Sequence, residues 1–304
     1  MPMDLAVRTV GLEKRYGERV AVEALDLAVP TGRVTGFVGP NGAGKTTTIR
    51  MLLGLIRPTS GTGEVLGRPL DRPAAYLERV GALVDGPAFY PRLSGRANLA
   101  VLERLAGTRG GIERALELTG IDDRADDPVG SYSLGMRQRL ALAAALLGDP
   151  ELVVLDEPAN GLDPAGIREI RTLLRRLADD GVTVFVSSHQ LAELEHVSDH
   201  LVLLRAGALV YQGLLSSLLA RRAATITARP EHAADLEALA RIASDGGGHV
   251  RVRDGAVSAA GAGPAASARL NRSAHAAGIT LAELTVAAPT LEEIFFGLTE
   301  DGAR

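Results

Sequence analysis

The octapeptide "GPNGAGKT", residues 39–46, constrains this chain more than any other stretch. It fits the pattern G-x-x-x-x-G-K-[ST] and joins a strand-like "RVTGFV" to a helix-like "KTTTIRMLLGLI". Glycines in such a loop let backbone N–H groups turn inward around the β- and γ-phosphates of a nucleotide. Lys45 adds a point charge, and the Thr46 hydroxyl is a ligand for Mg²⁺. The loop therefore predicts a nucleotide site at the end of a strand.

The rest of the chain supplies the sheet for that strand. "ELVVLDE" and "VTVFVSS" are nearly continuous apolar runs, as strands buried on both faces would be. Between them "DPAGIREIRTLLRRLADDG" reads as an amphipathic helix with Asp163 as N-cap, Pro164 in its first turn and Gly181 closing it. "LSGRANLAVLERLAG", "GIERALELTGI" and "RQRLALAAALLG" are further helices, and "HLVLLRAGALVYQG" is a hairpin. Residues 5–39 alternate apolar and polar positions in short, Gly-punctuated strands. Strand–helix alternation of this kind predicts an α/β, mostly parallel-sheet domain over 1–217. From about residue 222 the text turns Ala- and Gly-rich. Short strands ("ATITA", "HVRVRDGAV", "ITLAELTV") alternate there with helices ("HAADLEALARIAS", "TLEEIFFGL"). We read 218–304 as a small α+β accessory domain.

Composition narrows the function. A formal net charge of −4 gives no electrostatic reason to expect nucleic acid as a partner. The chain has no cysteine, which excludes thiolate metal sites and a Cys nucleophile. The start lacks the basic segment and apolar run of a signal peptide, and "LALAAALLG" is far short of a membrane span. Both point to the cytoplasm, with any spanning part on another polypeptide. Only Lys14 and Lys45 are lysines among 33 basic residues. Where a bias to Arg spares a Lys, a compact ammonium is called for that a planar guanidinium cannot replace.

Three more places carry chemistry. The strand "LVVLDEP" delivers Asp156 beside the metal of such a site, and the adjoining Glu157 is placed to polarise an attacking water as general base. His189 follows "VTVFVSS" at the C-terminal edge of the sheet, where a neutral imidazole reaches a γ-phosphate. "SYSLGMRQRL" sets Ser133 and the Gly135 amide at a helix N-terminus, which is a second anion site. One nucleotide does not need two.

In this order the motifs resemble the ATP-binding subunit of an ABC transporter, over residues 5–217. "GPNGAGKTT" is similar to the Walker A motif. The resemblance implies ATP contacts from Gly39, Pro40, Asn41, Gly42, Ala43, Gly44, Lys45, Thr46 and Thr47. "LVVLDEP" resembles Walker B, "NGLD" the D-loop with Asp163, and "SSH" the switch histidine, His189. Lys45, Glu157 and His189 are then the catalytic set, and Tyr16 the aromatic that stacks on adenine. "YSLGM" resembles the signature LSGGQ with Leu134 and Met136 substituted. In the family that motif binds the γ-phosphate of ATP held by the opposite subunit, which accounts for the second anion site. Asp85 falls where the family carries its Q-loop glutamine, so Thr46, Asp85 and Asp156 form the expected metal set for Mg²⁺.

The implied fold is a P-loop NTPase with a mostly parallel core sheet, an N-terminal antiparallel subdomain and a helical signature subdomain. The implied partners are a second ATPase subunit, most simply a homodimer, and a separately encoded integral-membrane permease. The implied place is the inner face of the cell membrane. "GPAFYPRLSGRANL", "YSLGMRQRL" and the tail "PTLEEIFFGLT" are most similar to the bacitracin- and lantibiotic-type exporters. Two rival readings share the catalytic residues. One is a soluble ABC-type ATPase acting on nucleic acid in repair or translation, and the other is an importer ATPase.

Overall fold

The computed structural model describes residues 4–86, 88–108, 110–220, 224–244, 250–261, 263–287, 290–292 and 294–295. The chain divides into two compact units, Met1–Leu215 and Ser216–Arg304.

The first unit begins with β1 (Leu5–Tyr16), β2 (Arg19–Leu25) and β3 (Ala28–Pro30), followed by β4 (Val34–Val38) and α1 (Lys45–Leu52). Next come β5 (Ser60–Val65), β6 (Arg68–Pro69) and β7 (Val80–Leu83). A helical stretch holds α2 (Gly95–Ala106), α3 (Ile112–Thr119) and α4 (Leu134–Ala145). Strand and helix then alternate through β8 (Leu152–Asp156), α5 (Pro164–Asp179), β9 (Thr183–Ser188), α6 (Leu191–Glu195), β10 (His200–Arg205) and β11 (Ala208–Leu214). The following α7 (Leu215–Leu219) spans the boundary between the two units.

These strands make two sheets. In the core sheet the order is β11-β10-β4-β9-β8-β7, every pair parallel except the β10–β11 hairpin. All residues of β4 and β9 are buried, as parallel strands covered on both faces must be. The N-terminal sheet is antiparallel, with order β2-β1-β5-β6 and β3 also on β1. One apolar core joins the two sheets, with Leu12, Leu25, Phe37, Ile49, Leu52, Leu152 and Phe185 all at 2% exposure or less. The Phe37 and Phe185 rings stack at 4.9 Å, each burial worth about 1.5–3 kcal/mol. Tyr76 anchors the end of α1: its hydroxyl donates to the Leu52 carbonyl at 2.9 Å, and burial pushes its pKa up to about 12.

The second unit runs β12 (Ala224–Pro230), α8 (Leu236–Ser244), β13 (Val250–Arg253), β14 (Ala256–Gly261), α9 (Gly263–Ala276) and β15 (Leu281–Ala287). Its antiparallel sheet has the order β13-β14-β12-β15. Ile226, Ala228, Leu239, Val257, Leu270, Ala274 and Ile279 form its core. The helix expected at "TLEEIFFGL" lies partly outside the described residues.

Candidate functional site

Because β4, β9 and β8 are parallel neighbours, their C-terminal ends bring three loops to one edge. Val38 pairs with Ser188, and Asp156 with Ser187. A cavity of about 460 Å³ opens there, lined by Asn41 to Thr47, Glu157, Asn160 and His189, with Arg19 and Ala21 from β2. Two glycines fix the loop by what they lack. A Cβ on Gly39 would stand 2.4 Å from the Leu204 carbonyl oxygen. One on Gly44, whose φ is +103°, would stand 2.5 Å from that of Ala21. Within α1 the first amide bonded to a carbonyl four residues back is that of Thr48, to Gly44 at 2.9 Å. The amides of Lys45, Thr46 and Thr47 are left outside the helix ladder, at its positive end.

The side chains form two linked chains of contact. Lys45 is 6% exposed; its Nζ donates to the Gly39 carbonyl at 2.7 Å and lies 3.3 Å from Glu157 Oε1. Glu157 Oε2 is 2.7 Å from His189 Nδ1 and accepts from the His189 amide at 3.3 Å. In the second chain Thr46 Oγ1 donates to Asp156 Oδ2 at 2.7 Å. The other Asp156 oxygen accepts from Ser187 Oγ, which in turn accepts from the Glu157 amide at 3.0 Å. Glu157 sits at φ +51°, a left-handed conformation that a non-glycine residue holds only when its surroundings over-determine it. The whole is an ammonium, two hydroxyls, two carboxylates and an imidazole around a helix N-terminus.

The residues expected at a second anion site lie elsewhere on the first unit. Ser133 N-caps α4, its Oγ accepting from the Met136 amide at 3.2 Å, and Leu134 stands 50% exposed beside it. Asp163 caps α5 by accepting from the Gly166 amide at 2.9 Å. Ser133, Gly135, Leu162 and Asp163 line one concavity of about 640 Å³, which shares no lining residue with the phosphate cavity. So the structure gathers the Walker residues and His189 in one place, and Ser133, Gly135 and Asp163 in another. Gln138 on α4 ties that helix to the loop after β8, its Nε2 donating to the Pro158 carbonyl at 2.6 Å.

Comparison with known proteins decides what carries this arrangement. The ABC transporter family model matches residues 22–160. The bacitracin transport ATP-binding protein BcrA of Bacillus licheniformis is 45% identical over 212 residues, covering 68% of this chain and 69% of that one. This chain belongs to the ATP-binding subunits of ABC transporters. The daunorubicin resistance ATP-binding protein DrrA3 of Streptomyces coeruleorubidus is 38% identical over 309 residues, covering 99% of this chain and 98% of that one. That match runs through the second unit as well. The solved structure of cbiO1 from Clostridium perfringens, part of the ABC transporter complex cbiONQ, superposes with a TM-score of 0.65 at 25% identity. It covers 71% of this chain and 91% of its own. The chain is therefore an ATP-binding, ATP-hydrolysing protein of the ABC class, with the P-loop NTPase fold. Among the described residues no helix is long and apolar enough to cross a membrane.

Of the residues expected at the nucleotide, Gly39, Pro40 and Asp156 adjoin the cavity without lining it, and Tyr16 and Asp85 also stand outside its lining. Tyr16 ends β1 at 50% exposure, paired with Arg19 of the cavity rim. Asp85, at φ +60° and 62% exposed, has its carboxylate on Arg50, with Nη2 to Oδ2 at 2.6 Å. That hydrogen bond raises the Arg50 pKa, with a smaller contribution from Asp156. The sequence reading does not single out Ser187, Asn160, Arg19 or Gln138. Ser187 and Asn160 lie inside "SSH" and "NGLD", so the motif text holds them. Gln138 is found only from the fold.

Proposed function

We propose that this subunit closes on a second ATPase subunit around ATP, most simply a second copy of itself. Hydrolysis between the two then drives a separately encoded membrane permease. The observation that carries this reading is the separation of the two anion sites. One chain has a Walker cavity and a signature concavity with no residue in common, as two half-sites completed by a partner require.

The residues fit ATP with Mg²⁺. Amide N–H groups at a helix N-terminus and a buried ammonium suit phosphate oxygens. The Thr46 hydroxyl and Asp156 carboxylate are hard oxygen donors that would hold Mg²⁺. Held there, Mg²⁺ would supply positive charge to offset that developing on the phosphates. Asp85 is dropped from this metal set, because the Arg50 guanidinium already neutralises and holds its carboxylate. Lys45 draws the γ-phosphate in, and Glu157 takes a proton from the attacking water. His189, 2.7 Å from Glu157, orients that carboxylate and reads the γ-phosphate. Ser133 and the Gly135 amide bind the nucleotide on the partner, and Asp163 meets the partner at the same face. The names of BcrA and DrrA3 speak of bacitracin transport and daunorubicin resistance. We extend that chemistry to this chain as export of a drug, antibiotic peptide or lipid-like substrate, with the subunit peripheral on the inner membrane face.

Glu157→Gln tests the core of this. It removes the base and leaves Lys45, Thr46 and Asp156 to hold the nucleotide. Turnover should fall by about two to four orders of magnitude while ATP binding persists. In size-exclusion chromatography with ATP the variant should run as a dimer. Wild-type turnover, or a strictly monomeric variant under saturating ATP, overturns the assignment.

A further inference from the structure

The chain keeps two lysines, and only Lys45 has a part in the site described above. Lys14 has a defined place too. It lies two residues before Tyr16 on β1, beside a register shift between Lys14 and Arg15 in the pairing with β2. Its Nζ sits 5.1 Å from the centroid of the Tyr16 ring and donates to the Arg57 carbonyl at 2.6 Å. Arg57 belongs to the segment that leaves α1, the helix whose N-terminus forms the phosphate cradle. Two further bonds bolt that segment to the end of β1. The Arg15 amide donates to Thr59 Oγ1 at 2.9 Å, and the Thr59 amide to the Glu13 carbonyl at 2.8 Å. Across the β1–β2 turn Tyr16 faces Arg19, which lines the phosphate cavity. An exposed phenol at a strand end otherwise loses rotamer freedom when a ligand stacks on it. A cation on one ring face holds the ring, and by drawing π density it makes the opposite face a better partner for an electron-rich purine.

We propose that Lys14 is a positioning residue for the nucleotide base. Its ammonium grips one face of Tyr16 and ties the ring to the Arg57 carbonyl, presenting the other face to adenine in fixed register with the P-loop helix. This rests on the reading that Tyr16 stacks on adenine.

The test uses the full chain with Lys14→Met, Tyr16→Leu and the double variant. Each is titrated with ATP and with inorganic tripolyphosphate, which has the anion without the base. Lys14→Met should weaken ATP binding about 2- to 5-fold, the range of an exposed cation–π contact, and leave tripolyphosphate binding as it was. The double variant should bind ATP no more weakly than Tyr16→Leu. Equal losses for both ligands from Lys14→Met mean general electrostatics or misfolding, and overturn the proposal. So do fully additive losses in the double variant, or an unaffected Lys14→Met when Tyr16→Leu loses affinity; in that last case base stacking itself stands. If Tyr16→Leu binds ATP normally, the stacking reading fails and the proposal fails with it.

Discussion

His200 opens β10 at 4% exposure, paired with Thr35 of β4 and Leu214 of β11, and its Nδ1 has no hydrogen-bond partner among the described residues. Burial, reinforced by the Arg33 charge, lowers its pKa below the ordinary value of 6.5. The unfolded chain then binds a proton that the folded chain refuses. Stability from this group is complete above about pH 6.5 and is lost as pH falls towards the depressed folded value. The urea midpoint should therefore drop between pH 7 and 5.5, and His200→Leu should flatten that slope without a large cost at pH 7.5. An unchanged slope in the variant assigns the acid sensitivity to other groups. At this same scale the sequence shows which residue types do chemistry but not all of their supports. Glu157 is legible because it follows Asp156 at the end of an apolar strand in a chain that already carries a P-loop. The supporting role of Ser187 is not, although the motif text contains the residue, because a Ser inside a buried strand looks like any small polar core residue. Only the parallel pairing of Asp156 with Ser187 makes it the shared partner of the Asp156 carboxylate and the Glu157 amide.

Asp163 caps α5 and is proposed to meet the partner subunit, and the two roles can be separated. As N-cap of α5 it satisfies the Gly166 amide, and its loss to Ala should cost about 1 kcal/mol, or about 2–4 °C in Tm for a unit of this size. Asn caps as well as Asp, so Asp163→Asn should keep the Tm. If the carboxylate also meets the partner subunit, Asp163→Asn should still lower ATPase activity. A variant with both normal Tm and normal turnover limits Asp163 to capping. The cap, Pro164 and the amphipathic pattern make α5 legible in the sequence. By contrast α9 is not, because "GPAASARLNRSAHA" has the composition of a linker. Alanine is nevertheless the best helix former, and the burial of Leu270 and Ala274 in the second core settles the conformation. Strand order is equally hidden. The apolar runs say that β4, β8 and β9 are buried, while the insertion of β4 between β10 and β9 comes from crossovers that no local pattern encodes.

At the scale of the whole molecule, the proposed half-sites predict complementation between chains. Lys45→Ala removes the buried ammonium from the Walker cavity, leaving the backbone dipoles without their cation. Ser133→Arg places a bulky cation on the signature concavity and spares the Walker cavity, since the two share no lining residue. In a symmetric dimer of either variant both composite sites contain the lesion, because a two-fold axis repeats each contact. Each variant alone should therefore be inactive. Mixed, they can form a heterodimer in which the intact Walker face of the Ser133→Arg chain meets the intact signature face of the Lys45→Ala chain. The other site of that dimer carries both lesions. With random pairing and independent sites, turnover should recover to about a quarter of the wild-type rate. Recovery should follow the mixing ratio, with its maximum at equal amounts. A half-site contained in one chain predicts the opposite, a mixture whose rate is the mean of the two separate rates. A Ser133→Arg protein that hydrolyses ATP at the wild-type rate unmixed removes the signature face from catalysis altogether.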